Sequence, residues 1–242
     1  WMVQFQGWHQ ARLYALGLAL GLVLYHAAFG FTGAWRRALI SRQTAGVEAQ
    51  LLMLAVATLL FAPALADGEL WGTRVGGAIA PLGTQVAVGA FLFGLGMQLG
   101  GGCGSGTLFT VGGGNPRMIV TLIAFCAGSF WASLDMQWWV NTPRLPGIAL
   151  GNIWGWPLAA LAQILVLCTI YLLLKKWRRR PESQIAQAWS WRSLYRGPWA
   201  LAWGAIALAL LNWLTLGLSG HPWTITWGFT LWGAKAATLA GW

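Results

Sequence analysis

The sequence predicts an all-α polytopic membrane protein of about seven spanning segments, some of them broken or re-entrant at glycine-rich points. Three observations predict it. Only 8% of the 242 residues are charged and 57% are hydrophobic, against about 25% charged in an ordinary soluble domain; so few charges cannot cover a soluble surface. Seven apolar runs approach the ~20 residues that a helix needs to cross a bilayer. Glycine occurs 33 times and tryptophan 19 times, and these residues are enriched in membrane helices and at the membrane interface respectively.

The runs are residues 13–28, 49–65, 80–99, 118–134, 156–174, 199–218 and 223–240. Lys and Arg set their orientation. The connections at 31–47, 100–117 and 175–196 carry eleven basic residues, whereas the opposite side holds Arg12, Arg74 and Arg144. The positive-inside rule then places 175–196 in the cytoplasm and the first residues outside. The net charge of +10 is therefore that of cytoplasmic loops and not of a nucleic-acid-binding face: seven of the 15 basic residues fall between Lys175 and Arg196. Residues 137–156, with Trp138, Trp139, Trp154, Trp156, Pro143 and Pro146, form an external interfacial loop. The chain begins at Trp1 with no signal-peptide pattern and stops at Trp242 soon after an apolar stretch, so a portion of a longer protein is expected.

Two segments are neither plain helix nor plain loop. One is 30–41, GFTGAWRRALIS; the other is 100–117, with eight glycines in its first fifteen residues. Non-helical backbone at membrane depth is tolerated only where protein or a polar cavity surrounds it, which is the setting of broken helices at a permeation path. A short repeat accompanies them. Phe31-Thr32-Gly33-Ala34-Trp35 is echoed by Ile225-Thr226-Trp227-Gly228-Phe229, each placing a threonine three residues before an aromatic. The expected organisation is a first transmembrane repeat at 1–174, a basic cytoplasmic loop at 175–196, and the start of a second, incomplete repeat at 197–242, within a pseudo-symmetric two-repeat fold.

Cys103 lies in GGGCGSGT, where successive amides of Gly102, Gly104 and Gly106 can converge on an anion and a helix start can add its positive end. Ser105 and Thr107 supply hydroxyls, Arg117 closes the segment with a cation, and the thiol brings a polarisable sulfur with a weak S–H donor. Such a set suits an anion that itself carries soft sulfur. The competing reading is close helix packing through small residues, which accounts for Gly94 and Gly96 but not for eight glycines around Cys, Ser and Thr. Arg36 either faces a vestibule or, with Arg37, anchors the positive side. His26, within an apolar run, reads as a helix contact. Cys126 and Cys168 behave as small hydrophobes. No CxxC pair or cysteine–histidine pairing supports a disulfide framework or a metal site. All five acids, Glu48, Asp67, Glu69, Asp135 and Glu182, sit in or beside connections. No catalytic constellation, metal or cofactor is expected, and facilitated movement of an anion fits better than a proton pump, which uses intramembrane carboxylates.

GAFLFGLGMQLGGGCGSGTLFTVGGGNPR at 89–117 resembles the glycine–cysteine signature of the YeeE/YedE membrane proteins, and residues 30–63 and 221–235 resemble further segments of that family. The resemblance covers nearly the whole chain. It implies two pseudo-symmetric halves with short loops dipping to the membrane centre, and uptake of thiosulfate or a related sulfur anion, in some branches a selenium species, across a bacterial inner membrane. It implies that Cys103 binds the anion by an S–H···S hydrogen bond. Thr32 and Thr226 join the expected binding set as the threonines of the repeated segments. A cytoplasmic sulfur-carrier or sulfurtransferase of the TusA or rhodanese kind is the implied partner. The chain departs from the family pattern at Gly30, where many members carry a cysteine, and in lacking a second glycine–cysteine motif. Two alternatives stand beside transport: a membrane scaffold for a sulfur-relay complex, and a thiol oxidoreductase, which would need a resolving cysteine near Cys103.

Overall fold

A computed structural model describes residues 2–178 and 197–242. Most of the expected basic loop at 175–196 therefore lies outside the described residues. Helix dominates, as apolar runs of bilayer length require when backbone groups must bond within their own segment. The helices are α1 (Met2–Ala27), α2 (Phe31–Ser41), α3 (Ala45–Asp67), α4 (Thr84–Gly100), α5 (Gly104–Gly112), α6 (Arg117–Leu134), α7 (Met136–Asn141), α8 (Leu150–Trp154), α9 (Trp156–Trp177), α10 (Leu201–Ser219) and α11 (Thr226–Leu239). Four two-residue strands, β1 (Glu69–Leu70), β2 (Thr73–Arg74), β3 (Leu82–Gly83) and β4 (Arg144–Leu145), make two antiparallel pairings, β1 with β2 and β3 with β4.

Among the described residues six helical stretches are long and apolar enough to cross a membrane. The seventh expected run holds α11, which at 14 residues falls short, because the chain from Gly220 to Ile225, with Pro222, is not helical. Two of the six stretches, Gly7–Ser41 and Thr84–Gly112, each contain two helices. The breaks are those that glycine marks. Ala28 turns left-handed at φ 45° before Gly30 caps α2, and Gly101, at φ 75°, ends α4 two residues before Cys103 caps α5. A glycine adopts that backbone at no steric cost.

The chain divides into two compact units. The first comprises Trp1–Ala78 and Ala149–Trp223. Its core joins Leu20, Val23, Leu24 and Ala27 of α1 to Ala205, Leu208 and Ala209 of α10, recurring at helical spacing so that one apolar stripe of each helix is covered. Small residues set the approach. A Cβ on Gly204 would stand 2.5 Å from that of Ala27, and one on Gly46 would stand 2.6 Å from that of Ala34, the small-residue packing that lets membrane helices come together. Ala34, Ala38 and Val47 form a cluster on which Leu174 of α9 packs. The β1–β2 hairpin lays Trp71 edge-on to Trp213 at 4.8 Å between ring centres. His26 meets the non-helical segment that leads into α10: its ring lies 5.5 Å from that of Trp199, and its carbonyl accepts the Trp199 N–H at 2.8 Å.

The second unit comprises Ile79–Ile148 and Thr224–Trp242. Here α6 and α11 pack closely: a Cβ on Gly233 would come within 2.5 Å of the Cys126 carbonyl oxygen, and Phe125 meets Phe229 at 5.2 Å. Helix α4 buries none of its residues. Among the described residues the packing role expected for Gly94 and Gly96 is accordingly not realised, since a Cβ at either meets nothing within 4 Å.

Candidate functional site

Between α4 and α5 the chain makes one polar turn, all of it inside the second unit. Cys103 is the residue before α5, in extended conformation, and its Sγ accepts a hydrogen bond from the Gly106 N–H at 3.3 Å. A cysteine thus occupies the capping position usually filled by Ser, Thr, Asp or Asn. Its Sγ also lies 3.5 Å from Ser105 Oγ, either atom donating. The Thr107 N–H donates to the Cys103 carbonyl at 2.8 Å. Gly104 and Ser105 occupy the first helical positions, where N–H groups have no carbonyl one turn back to bond. The turn therefore offers free amides, a thiol and a hydroxyl, together with the positive end of the α5 dipole.

Burial alternates around this turn. Gly102, Gly104, Gly106 and Thr107 are buried, whereas Cys103 and Ser105 are partly open. The glycines are where neighbours press closest. A Cβ on Gly102 would stand 2.9 Å from the Met118 methyl and 3.1 Å from Thr107 Oγ1; one on Gly104 would stand 3.1 Å from the Phe229 ring and 3.2 Å from the Ile225 methyl. Thr107 is fully buried, and its hydroxyl has no hydrogen-bond partner.

The other expected residues are distributed as follows. Thr226 is the exposed first residue of α11, adjoining Ile225, which backs Gly104. Arg117 opens α6; its N–H is taken by Asn115 Oδ1 at 3.1 Å, and the next residue, Met118, supplies the methyl against Gly102. Thr32 and Arg36 belong to the first unit. Thr32, second in α2, is 7% exposed and its hydroxyl also lacks a partner, while Arg36 is exposed. The structure thus gathers residues 102–107 with Thr226 nearby, and places Thr32 and Arg36 on a separate broken span. Met118, Ile225 and Phe229 form the apolar backing that sequence reasoning missed. The spacing of Ile225 and Phe229, four apart on one helix face, was the available signal. All three cysteines are free, and no group of three metal-ligating side chains occurs among the described residues.

A family model described as sulphur transport matches residues 26–242, a stretch that includes every residue named in this turn. The chain is 25% identical over 185 residues to the thiosulfate transporter TsuA of Escherichia coli (strain K12), with 70% of this chain and 48% of that protein aligned. It spans about half the length of the curated relative it matches.

Proposed function

The chain belongs to the sulphur-transport family, and from that membership we propose that it forms part of a multi-pass permease carrying thiosulfate, or a similar small sulfur anion, inward across a bacterial inner membrane. The observation that carries the reading is Cys103 at the N-terminal end of α5. Because Sγ already accepts the Gly106 N–H, the S–H hydrogen is directed elsewhere, either to Ser105 or to an incoming ligand. The terminal sulfur of thiosulfate suits that weak donor, and its oxygens suit the amides of Gly104 and Ser105 and the Ser105 hydroxyl. Thr107 lies beneath as an additional hydroxyl. Thr32 with Arg36, and Thr226 with Arg117, serve as further stations or as attraction along the path. The name of the relative, a thiosulfate transporter, supports this substrate. Carriage rather than covalent turnover is the role, and a cytoplasmic sulfur carrier of the TusA or rhodanese kind receives the cargo.

The test is uptake of sulfur-labelled thiosulfate by cells or liposomes holding the full-length parent protein, wild type beside Cys103→Ala, with equal amounts verified in the membrane. Uptake falls to background in Cys103→Ala. Undiminished uptake by that variant overturns the site, and no uptake by either protein overturns the substrate. In Cys103→Ser, whose hydroxyl suits oxygen better than sulfur, the preference for thiosulfate over competing sulfate narrows by about fivefold, the scale of one hydrogen bond of about 1 kcal/mol.

A further inference from the structure

We propose that a groove on the first unit, remote in sequence from Cys103, holds an anionic phospholipid. The groove, of about 370 Å³, lies between the first half of α3, the second half of α9 and the start of α10. Leu51 and Leu52, Leu167 and Leu201 wall it, and its polar lining is Glu48, Cys168 and Tyr171. The beginnings of α3 and α10 and the end of α9 meet at one end of it.

That end is basic. Cys168, Tyr171 and Lys175 recur at intervals of three and four, so they share one side of α9. Lys175 therefore continues the face that lines the groove toward its mouth, with Lys176 beside it in the last turn, and Arg178 follows the helix end beside Glu48 of the groove lining. The local charges can be followed one by one. Glu48 sits in the first turn of α3 and offsets that helix's positive end. Arg178 lies 3.7 Å from Glu48, whose carboxylate also accepts the Thr44 hydroxyl at 2.7 Å. Lys175 and Lys176 have no ion-pair partner among the described residues, and α10, whose first residues line the groove, begins with no side-chain cap. Among the described residues the net sign at the mouth is positive.

An apolar channel with a positive mouth matches one kind of molecule: an amphiphile whose head is an anion. A soluble anion satisfies only the mouth, and an uncharged hydrocarbon only the walls. Basic pockets between membrane helices on the cytoplasmic side have this chemistry, and lysines reach the headgroup level by extending their apolar stems along the helix.

Native mass spectrometry of the full-length parent, released from bilayers of equal phosphatidylglycerol and phosphatidylcholine, tests the assignment. Wild type retains phosphatidylglycerol over phosphatidylcholine by about thirtyfold, the scale for two basic residues at a membrane surface. Lys175→Gln with Lys176→Gln reduces that preference to near parity. Ala202→Phe, which fills the groove from an exposed position, lowers retention of both lipids while tryptophan fluorescence still reports a cooperative thermal transition. Parity in wild type, or a preference that survives the double substitution, overturns the proposal. So does full retention by a folded Ala202→Phe protein. A wild type that retains neither lipid also overturns it, and points to a protein segment or a second copy in the groove.

Discussion

Thr107 is fully buried with a hydroxyl that bonds to nothing, whereas Thr110, three residues on, donates to the Gly106 carbonyl at 2.7 Å and Thr58 donates to Leu54 at 2.8 Å. The latter pair follow the ordinary habit of helical threonine, bonding the carbonyl four residues back. For Thr107 that carbonyl belongs to Cys103, which accepts the Thr107 amide at 2.8 Å but not its hydroxyl. An unsatisfied buried hydroxyl costs about 1–3 kcal/mol, so Thr107→Val should leave thermal stability unchanged or raised. If the hydroxyl serves the anion, thiosulfate uptake nevertheless falls by about tenfold, and unchanged uptake assigns Thr107 to packing alone. Gly102→Ala acts oppositely. It drives a methyl toward Met118 and Thr107 and should destabilise by about 1–3 kcal/mol in a thermal or denaturant titration. Cys103 was legible in the sequence because glycine density around a lone thiol is itself unusual. The state of Thr107 was not, since nothing local distinguishes it from Thr110, and Met118 and Phe229 reach the turn only through the packing of α6 and α11.

At the scale of elements, apolar length and glycine position carried most of the fold. The runs at 49–65, 118–134 and 156–174 became α3, α6 and α9 with modest extension, because hydropathy over ~20 residues is what the bilayer selects. The break at Gly101 was also legible, whereas 30–41, expected to be irregular, is helical from Phe31 and the chain turns before it at Ala28. Partners of the individual glycines were not legible: Gly94 and Gly96 resemble Gly204 and Gly233 in sequence, yet only the latter two stand against a neighbouring helix. The contrast is measurable in the parent protein. Gly204→Val and Gly233→Val should each lower thermal stability, by about 1–3 kcal/mol of overpacking. Gly94→Ala and Gly96→Ala should hold or raise it, by up to about 1 kcal/mol each, because alanine is the better helix former where nothing is displaced. A loss at Gly94 would mean that α4 packs on a helix beyond the described residues.

At the scale of the molecule, the two compact units do not follow chain order. Residues 149–223 return to the first unit after the second has begun, and 224–242 rejoin the second. Sequence reading cannot supply such an interleaving, because hydropathy locates spans without stating which ones touch. On the proposed function, the charge of the substrate sets the energetics at this scale. Thiosulfate carries two negative charges, and moving each against a cytoplasm that is negative inside costs about 2.3 kcal/mol per 100 mV. Uptake into liposomes should therefore quicken when a potassium gradient with valinomycin makes the lumen positive. Indifference to the imposed potential would mean that compensating charge travels with the anion.

If the turn that holds Cys103 is where the anion rests, its make-up governs how quickly cargo leaves. Its attraction comes from amides, a thiol and the end of a nine-residue helix, amounting to a fixed fraction of one charge rather than a full cation in contact with the ligand. Passage requires a site favourable enough to occupy and weak enough to vacate. Fractional charge favours a short dwell and hence fast turnover. Ser105→Arg would exchange speed for retention, with thiosulfate bound more tightly and its flux reduced.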